Sequence, residues 1–518
     1  GGSISRIQSE TWTYNLQQLL SYNKQIGKHN VGVLLGHENY YNSSKYVSGY
    51  KTGLFSEHVS ELPGAIKTVS TSSSFTEYNN EGYFLRAQYE YDGRVFLSGS
   101  YRRDASSMFH PDHRWGNFWS IGAAWLINKE SWFKSSWVDE LKIKASYGSQ
   151  GNDNIYSYLY TDMYSIGDDG QGSWGAPFYR KGNPDITWET NGNFNAGVEF
   201  AFFGNRLFGS AEYFYRKTTD MIAYVSVPPS LGYTGYYKNV GDMVNQGLEV
   251  ELTGVLFRKK NFSWDINLNV SYVKNEISKL ASQNKGTTIY SLDGKEYKGF
   301  SSGNNFYGEG LPIYSMYMKA YAGVDKATGE ALYYVRDDEG NLSTTTKYAD
   351  ATNFVHETSL PDVYGGFGTT FNFYGFDLSV NFAYQIGGKV YDSGYAAAMT
   401  SPTSSSSRGG AYHKDLLKSW TPDNPNSNIP RFQYMDLYSA SSSSRFLTDA
   451  SYLSLQNINF GYTLPSKWMS KIGVSKLRIY LACENVWLWS QRKGLDPRQS
   501  YTGGSSAAYY SPIRTISG

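Results

Sequence analysis

Apolar and polar residues alternate along most of this chain, and that two-residue rhythm restricts it to strands whose two faces meet different surroundings. From Phe262 the series Phe262, Trp264, Ile266, Leu268, Val270, Tyr272 interleaves with Ser263, Asp265, Asn267, Asn269, Ser271. Phe376, Leu378, Val380, Phe382, Tyr384 and Ile386 alternate in the same way with Asp377, Ser379, Asn381 and Gln385. Near the start, Trp12, Tyr14, Leu16, Leu20 and Tyr22 alternate with Thr11, Thr13, Asn15, Gln17 and Ser21. Soluble strands usually run ~5–6 residues, whereas tilted membrane strands need ~9–11. These runs keep phase over roughly ten residues or more, the length that crosses a bilayer.

Composition agrees. Aromatic residues make up 17% of the 518 residues, with 47 Tyr and 13 Trp, yet hydrophobic residues reach only 40% and mean hydropathy is −0.50. Apolar groups are diluted by polar neighbours, and no stretch approaches the ~18 consecutive apolar residues of a spanning helix. Aromatic pairs fall at the ends of the alternating runs (Tyr89 and Tyr91, Phe200 and Phe202, Tyr213 and Tyr215, Trp487 and Trp489), where rings of an outer-membrane barrel lie at headgroup level. A soluble sandwich or propeller is the alternative, with its apolar face packed on a second sheet.

The connections separate the two. About fifteen strands can be read, and their links alternate in length. Short links fall at 25–29, 92–93, 128–137, 204–205, 257–261, 374–375 and 465–475; long ones at 42–80, 104–114, 151–185, 223–245, 275–361, 388–450 and 490–510. Tight periplasmic turns and extended extracellular loops produce this parity in outer-membrane barrels, and a sandwich has no reason to keep it. The segment from Thr11 then descends to the periplasm, and the last strand, near Ser511, descends again. An odd count implies missing strands, because bacterial single-chain barrels are normally even-numbered. The expected fold is all-β: a transmembrane antiparallel β-barrel spanning residues 1–518, whose strands are the C-terminal part of a 22-stranded wall around a plugged lumen.

Several long segments resemble the SusC/RagA family of TonB-dependent outer-membrane transporters of Bacteroidetes. They include SYRRDASSMFHPDHRWGNFWSIGAAWLIN (100–128), LKIKASYGSQGNDNI (141–155), NPDITWETNGNFNAGVEF (183–200) and NVGDMVNQGLEVEL (239–252). YAGVDKATGEALYY (321–334), YLSLQNINFGYTLP (452–465) and KGLDPRQS (493–500) follow in order. The resemblance implies an N-terminal plug that seals the lumen until TonB, with ExbB and ExbD, pulls on it. It also implies a SusD-like surface lipoprotein as lid, and oligosaccharides or peptides as cargo. Signal peptide, plug, TonB box and first strands would be encoded upstream of Gly1.

Charge names no partner: 47 basic against 46 acidic residues leave no field to recruit nucleic acid. One cysteine, Cys483, excludes a disulfide framework and sits in the apolar series Leu477, Ile479, Leu481, where it faces lipid. His110-Pro111-Asp112-His113 offers metal-ligand residue types without a third ligand nearby, and reads as polar loop. Arg102, Arg103, Asp104, Asp112 and Arg114 are read as ion pairs fixing that loop's base. The seven histidines form no catalytic order, and the serine clusters 404–407 and 441–444 lack a nucleophile elbow. Catalytic residues and a resident cofactor are therefore not expected. Asp168-Asp169 and Asn152-Asp153-Asn154 could offer oxygen ligands to Ca²⁺ in extracellular loops, but without the spacing of a known loop.

Two sets of residues are candidates for function. In loop 151–185, Tyr156, Tyr158, Tyr160, Tyr164, Trp174, Phe178 and Tyr179 place rings outside the membrane, for the lid, the substrate or simple self-packing. On the wall, Glu199, Glu212, Arg216, Glu249, Glu251, Asp265, Asn267 and Asn269 would line a hydrated lumen or contact the plug. A passive porin would share this wall without a plug. A soluble surface enzyme or adhesin would need no detergent.

Overall fold

The computed structural model describes residues 2–168, 173–402, 410–436, 441–499, 502–504 and 511–518. Fifteen strands form one antiparallel sheet whose spatial order is the order of the chain. They are β1 (Ser3–Ile26), β2 (His29–Leu54), β3 (Ala65–Tyr91), β4 (Val95–Ser106), β5 (Trp115–Leu126), β6 (Val138–Asn152), β7 (Glu189–Phe202) and β8 (Leu207–Ser226). After these come β9 (Gly235–Lys259), β10 (Phe262–Lys279), β11 (Val363–Phe373), β12 (Phe376–Ile386), β13 (Tyr452–Thr463), β14 (Arg478–Ser490) and β15 (Thr515–Ser517). The chain divides into two compact units. One comprises Gly1–Trp125, Ala145–Phe194 and Thr218–Val240; the other comprises Leu126–Lys144, Asn195–Lys217 and Gly241–Gly518.

In the second unit the alternation read from the sequence becomes two distinct faces. Leu268 pairs with Leu252 and Phe367, Val270 with Val250, and Ile266 with Gly254. Asn267 and Asn269, one residue away, point to the other side beside Gly368 and Gly366. No second layer covers the apolar row: Ile266 is 41% and Leu268 37% exposed. A soluble sheet would bury such a row, so its exposure is the signature of a wall whose solvent on that side is hydrocarbon. Eleven residues from Phe262 to Tyr272 span roughly 36 Å, or about 25 Å when tilted by ~45°, the height of a barrel's apolar band.

Bulges keep that face continuous. In β13 the apolar residues are Leu453 and Leu455, then Ile458, Phe460 and Tyr462, a slip of one residue in phase. The pairing shifts close to that point, between Asn381 and Phe382 against β12 and between Leu455 and Asn457 against β14. An extra residue in one strand flips its later side chains to the opposite face, and the shift thus restores what the sequence slips. In β14 the adjustment is taken up around Asn485, whose φ of 50° lies in the left-handed region that asparagine tolerates.

The tight links predicted from sequence are present: β1 turns into β2 at Gly27 (φ 59°), β3 into β4 at Asp92-Gly93, and β11 into β12 at Tyr374-Gly375. The long links need correction. Segment 42–80 is not a loop, because β2 and β3 stay paired from His29↔Tyr91 to Leu54↔Ala65. Likewise β8 and β9 shorten the link 223–245 to residues 227–234. Beyond the bilayer both faces of a strand meet water, so period-two contrast fades although the backbone pairing continues. Strand β1 correspondingly begins at Ser3 rather than near Thr11.

The links 275–361 and 388–450 are folded rather than irregular. The first carries a five-stranded sheet (Thr287–Tyr290, Glu296–Ser302, Asn305–Gly308, Ser315–Lys319, Asn353–Thr358) and a three-stranded one (Tyr321–Val324, Ala331–Arg336, Leu342–Thr345). Ile289, Phe306, Leu311 and Val355 form the core of the larger sheet. The second link contributes a helix, α1 (Ser393–Ala398), packed on Phe446 through Ala396 and Met399.

Candidate functional site

On the polar face of the second unit, charges and amides are arranged across neighbouring strands. Lys142 of β6 reaches Glu199 of β7 at 2.9 Å, while Lys144 bridges Glu199 at 3.0 Å and Glu212 of β8 at 2.8 Å. Alternation along β6 puts both lysines on one side and Leu141 and Ile143 on the other. Each of these charges is partly solvated, and their attraction is correspondingly modest. By the same alternation Arg216 shares a face with Glu212. Glu249 and Glu251 lie on the polar face of β9, opposite Ser271 and Asn269, exposed and with no ion pair among the described residues.

A row of amides crosses the next strands. Asn267 pairs with Gly368, Gly368 with Asn381, and Asn381 with Asn457, so one rung of the sheet reads Asn, Gly, Asn, Asn. Asn381 donates to the side chain of Asn457 at 2.9 Å, and Asn459 donates to the same oxygen at 3.3 Å. Gly368 leaves room here, since a Cβ would sit 2.3 Å from the Asn381 side-chain oxygen and displace it. Asn269 accepts from the Gly366 amide at 2.8 Å. Asp265 occupies the same face, opposite Thr370. Asp265, Asn267 and Asn269 are among the candidate wall residues; Asn381, placed on the polar face of its run but not among the candidates, and Asn457 and Asn459, unnamed from sequence, belong to the same row.

The first unit has its own polar network. Arg102 binds Asp104 at 2.7 Å and Glu38 at 3.0 Å and lies 5.1 Å from the Phe84 ring centre. Asn15 and Gln17 also donate to Glu38. The expectation of an ion pair at this strand end is met by Arg102 and Asp104. Arg103 turns to the other face, where its guanidinium lies over Trp115. Asp112 sits beside His110 at 3.4 Å, and the Arg114 carbonyl accepts from the Trp188 indole at 2.8 Å.

Loop 151–185 divides into packed and free parts. Leu159, Ile186, Trp188, Phe109 and Phe118 make a buried cluster, with Ile155 and Tyr160 against it. The loop's anchor is thus Leu159, which the aromatic count overlooked. Tyr164 meets Phe178 edge-on at 5.7 Å, Tyr156 meets Tyr237 at 6.2 Å, and Tyr158 meets Tyr160 at 6.5 Å. Trp174 is 88% exposed, and Tyr179 is exposed as well. Asp162 accepts from the Gly182 amide, then from Lys181, and both hold its carboxyl below the usual range.

Of the proposed calcium ligands, Asn152 donates to Glu189 at 2.6 Å and Asp153 accepts from Tyr78 at 2.8 Å, while Asp169 lies outside the described residues. Ser404–Ser407 also lie outside them. Of the second serine cluster, Ser444 accepts from the Tyr321 amide. Among the described residues no group of three or more His, Cys, Asp or Glu could hold a metal ion.

The long links 275–361, 388–450 and 490–510 are tied to one another. Arg431 reaches Glu330 at 3.1 Å and the Thr328 carbonyl at 3.0 Å. Trp420 donates to the Lys326 carbonyl and covers Gly329, where a Cβ would lie 2.2 Å from the indole. Asp325 in turn accepts from the amides of Ala327 and Thr328. Arg445 lies between Phe446 and Tyr321, and burial pushes the Tyr321 hydroxyl up to about 12. Asp392 accepts from the Tyr395 amide at the start of α1 and pairs with Arg492 at 2.5 Å. Asp496, only 2% exposed, grips Arg498 at 2.7 Å, and Arg498 reaches Ser454 of β13. Most of the KGLDPRQS segment is thereby fixed to the wall.

A single-layer antiparallel wall with one apolar and one polar face, and folded long links on alternate connections, defines an outer-membrane β-barrel. A family model described as TonB dependent receptor-like, beta-barrel matches residues 2–486, and the chain belongs to that family. It is 27% identical over 528 aligned residues to TonB-dependent receptor P3 of Formosa agariphila, covering 97% of this chain and 50% of that protein. It is 24% identical to the TonB-dependent receptor SusC of Bacteroides thetaiotaomicron, covering 94% and 48%. The solved RagAB peptide transporter superimposes with a TM-score of 0.86 at 26% identity, over 99% of this chain and 55% of that one. The SusC/RagA type is thus shown, and the chain spans about half the length of the curated relatives it matches.

Proposed function

We propose that this chain is the wall of an active importer that takes up oligosaccharides or peptides through the outer membrane. The observation that carries the reading is the polar face. Its row of side-chain amides, backed by glycines, offers donors and acceptors to hydroxyls and peptide groups alike and commits to neither sign of charge. The likeness to RagAB, a peptide transporter, supports the peptide class, and the SusC relative places the chain among TonB-dependent receptors. In this reading a plug fills the polar side, TonB with ExbB and ExbD drives it, and a SusD-like lipoprotein closes the outer end. The long links face outward, and the short turns and the C-terminus face the periplasm. Loop 151–185, through Trp174 and Tyr179, meets the lid or its cargo. The expected activity is transport without chemistry.

The test is uptake of fluorescent oligosaccharide and peptide pools by cells carrying or lacking the full-length gene, with and without an uncoupler. Loss of uptake on deletion and on uncoupling supports the reading. Uptake that persists in uncoupled cells would instead identify a passive pore.

A further inference from the structure

The apolar face of the first unit is not flat. One depression, of about 570 Å³, has Ala87, Gly99, Ala123 and Ala145 as its floor, between Leu97 and Ile121. A second, of about 710 Å³, involves Leu20, Leu35, Leu85 and Tyr101 and reaches His37 and Arg103. Their linings are neighbours along the strands: Ala87 and Leu85 are alternate residues of β3, paired with Gly99 and Tyr101 of β4. From Leu97 to Arg103 the track is roughly 20 Å long. Small side chains open the first depression and larger apolar ones, Leu20, Leu35, Leu85 and Tyr101, wall the second, in a surface whose surroundings are hydrocarbon; an alkyl chain lying along them gains dispersion contacts that a flat wall lacks.

A charge stands at one end of the track. Arg102 and Arg103 are neighbours, but Arg102 is held by Asp104 and Glu38, whereas Arg103 has no ion pair among the described residues. Arg103 instead lies 5.0 Å from the Trp115 ring centre. The acidic group on this face near it is Glu81, which already accepts from Tyr83 at 2.7 Å and lies 3.2 Å from His37. His37 also meets Gln18 at 2.5 Å. Stacked on an aromatic ring at the end of an apolar furrow, the guanidinium presents a free fork of donors suited to phosphate oxygens.

We infer that this track seats one acyl chain of a phosphate-bearing outer-leaflet lipid, with its phosphate on Arg103. The inference rests on the proposed orientation, which puts the Arg103 end at the outer surface. The substitution Gly99→Leu is a clean test of the furrow, because a Cβ at Gly99 meets only the Ser120 carbonyl oxygen, at 3.9 Å. The full-length transporter, purified in mild detergent, would be exposed to monophosphoryl lipid A or its dephosphorylated form. Retained lipid would be counted by native mass spectrometry.

Arg103→Gln should lower retention of the phosphorylated lipid by about tenfold or more and leave the dephosphorylated form unchanged. Gly99→Leu should lower both. Equal retention by wild type and both variants overturns the inference, as does loss of a second copy of the chain on Gly99→Leu with lipid unchanged. Heat-modifiable gel mobility keeps the outcomes distinct. A protein that lacks it refutes the membrane wall, whereas a folded barrel that ignores lipid refutes only this site.

Discussion

Leu268 and Asn267 are sequence neighbours on β10, and the two-faced wall predicts opposite fates for the same substitution at each. Leu268 lies near the middle of the Phe262–Tyr272 run, on the apolar side beside Leu252 and Phe367. An arginine there meets hydrocarbon and costs about 2–4 kcal/mol, or roughly 30- to 800-fold in the folding equilibrium. Asn267→Arg projects to the opposite, polar side, where Asn267 is exposed next to Thr253 and Gly368. Its expected cost is within about 0.5 kcal/mol, as for an ordinary surface change. Folding of the full-length protein into vesicles from urea, read by heat-modifiable mobility, gives both midpoints. Equal losses for the two variants, or a larger loss for Asn267→Arg, would refute the facing assignment.

Asp496→Asn should free the 490–499 segment, because it leaves the Arg498 guanidinium without its carboxylate; a local loss of about 3 kcal/mol is expected, read as faster amide exchange there with β13 unchanged. His356 donates to the Met318 carbonyl, and burial lowers its pKa below the unfolded 6.5. The unfolded state therefore takes up the proton first, and stability of the 353–358 strand should fall as pH drops below about 6.5; His356→Gln should flatten that dependence in exchange measured from pH 7.5 to 5. Trp174→Ala with Tyr179→Ala should weaken lid association or uptake while leaving the thermal midpoint within a degree or so, since both rings are exposed. Unchanged association and uptake would remove that loop from the substrate or lid route.

What could be read from the sequence follows from where a strand meets two solvents. Inside the bilayer, residues such as Ile266 and Asn267 obey opposite rules and the alternation is plain. Toward the Leu54–Ala65 end of β2 and β3, Lys45 pairs with Phe75 and Val47 with Ser73; beyond the bilayer both faces are wet, no rule sorts the side chains, and the hairpin reads as a loop. The folded links were hidden for a different reason. Their cores, such as Ile289, Phe306 and Val355, are single residues from strands of four to six residues, too short for a period to register. Leu159 was passed over because one leucine among tyrosines carries no pattern, although burial makes it the loop's anchor.

The same contrast explains how the molecule can combine a fixed wall with individually specified links. A wall strand is specified by alternation, so many sequences satisfy it, and the demand at any single position is only to be apolar or polar. The tied links are specified by individual partners. Gly329 must leave room for Trp420, Asp392 must both cap α1 and hold Arg492, and Arg431 must find Glu330 across about a hundred residues. Substitution of an exposed side chain on the polar side of the wall therefore changes that face with little effect on folding. In the links, by contrast, one lost partner loosens a joint between segments far apart in the chain. The shape of those links is accordingly set by residues such as Asp392, Arg431 and Asp496, each through one partner.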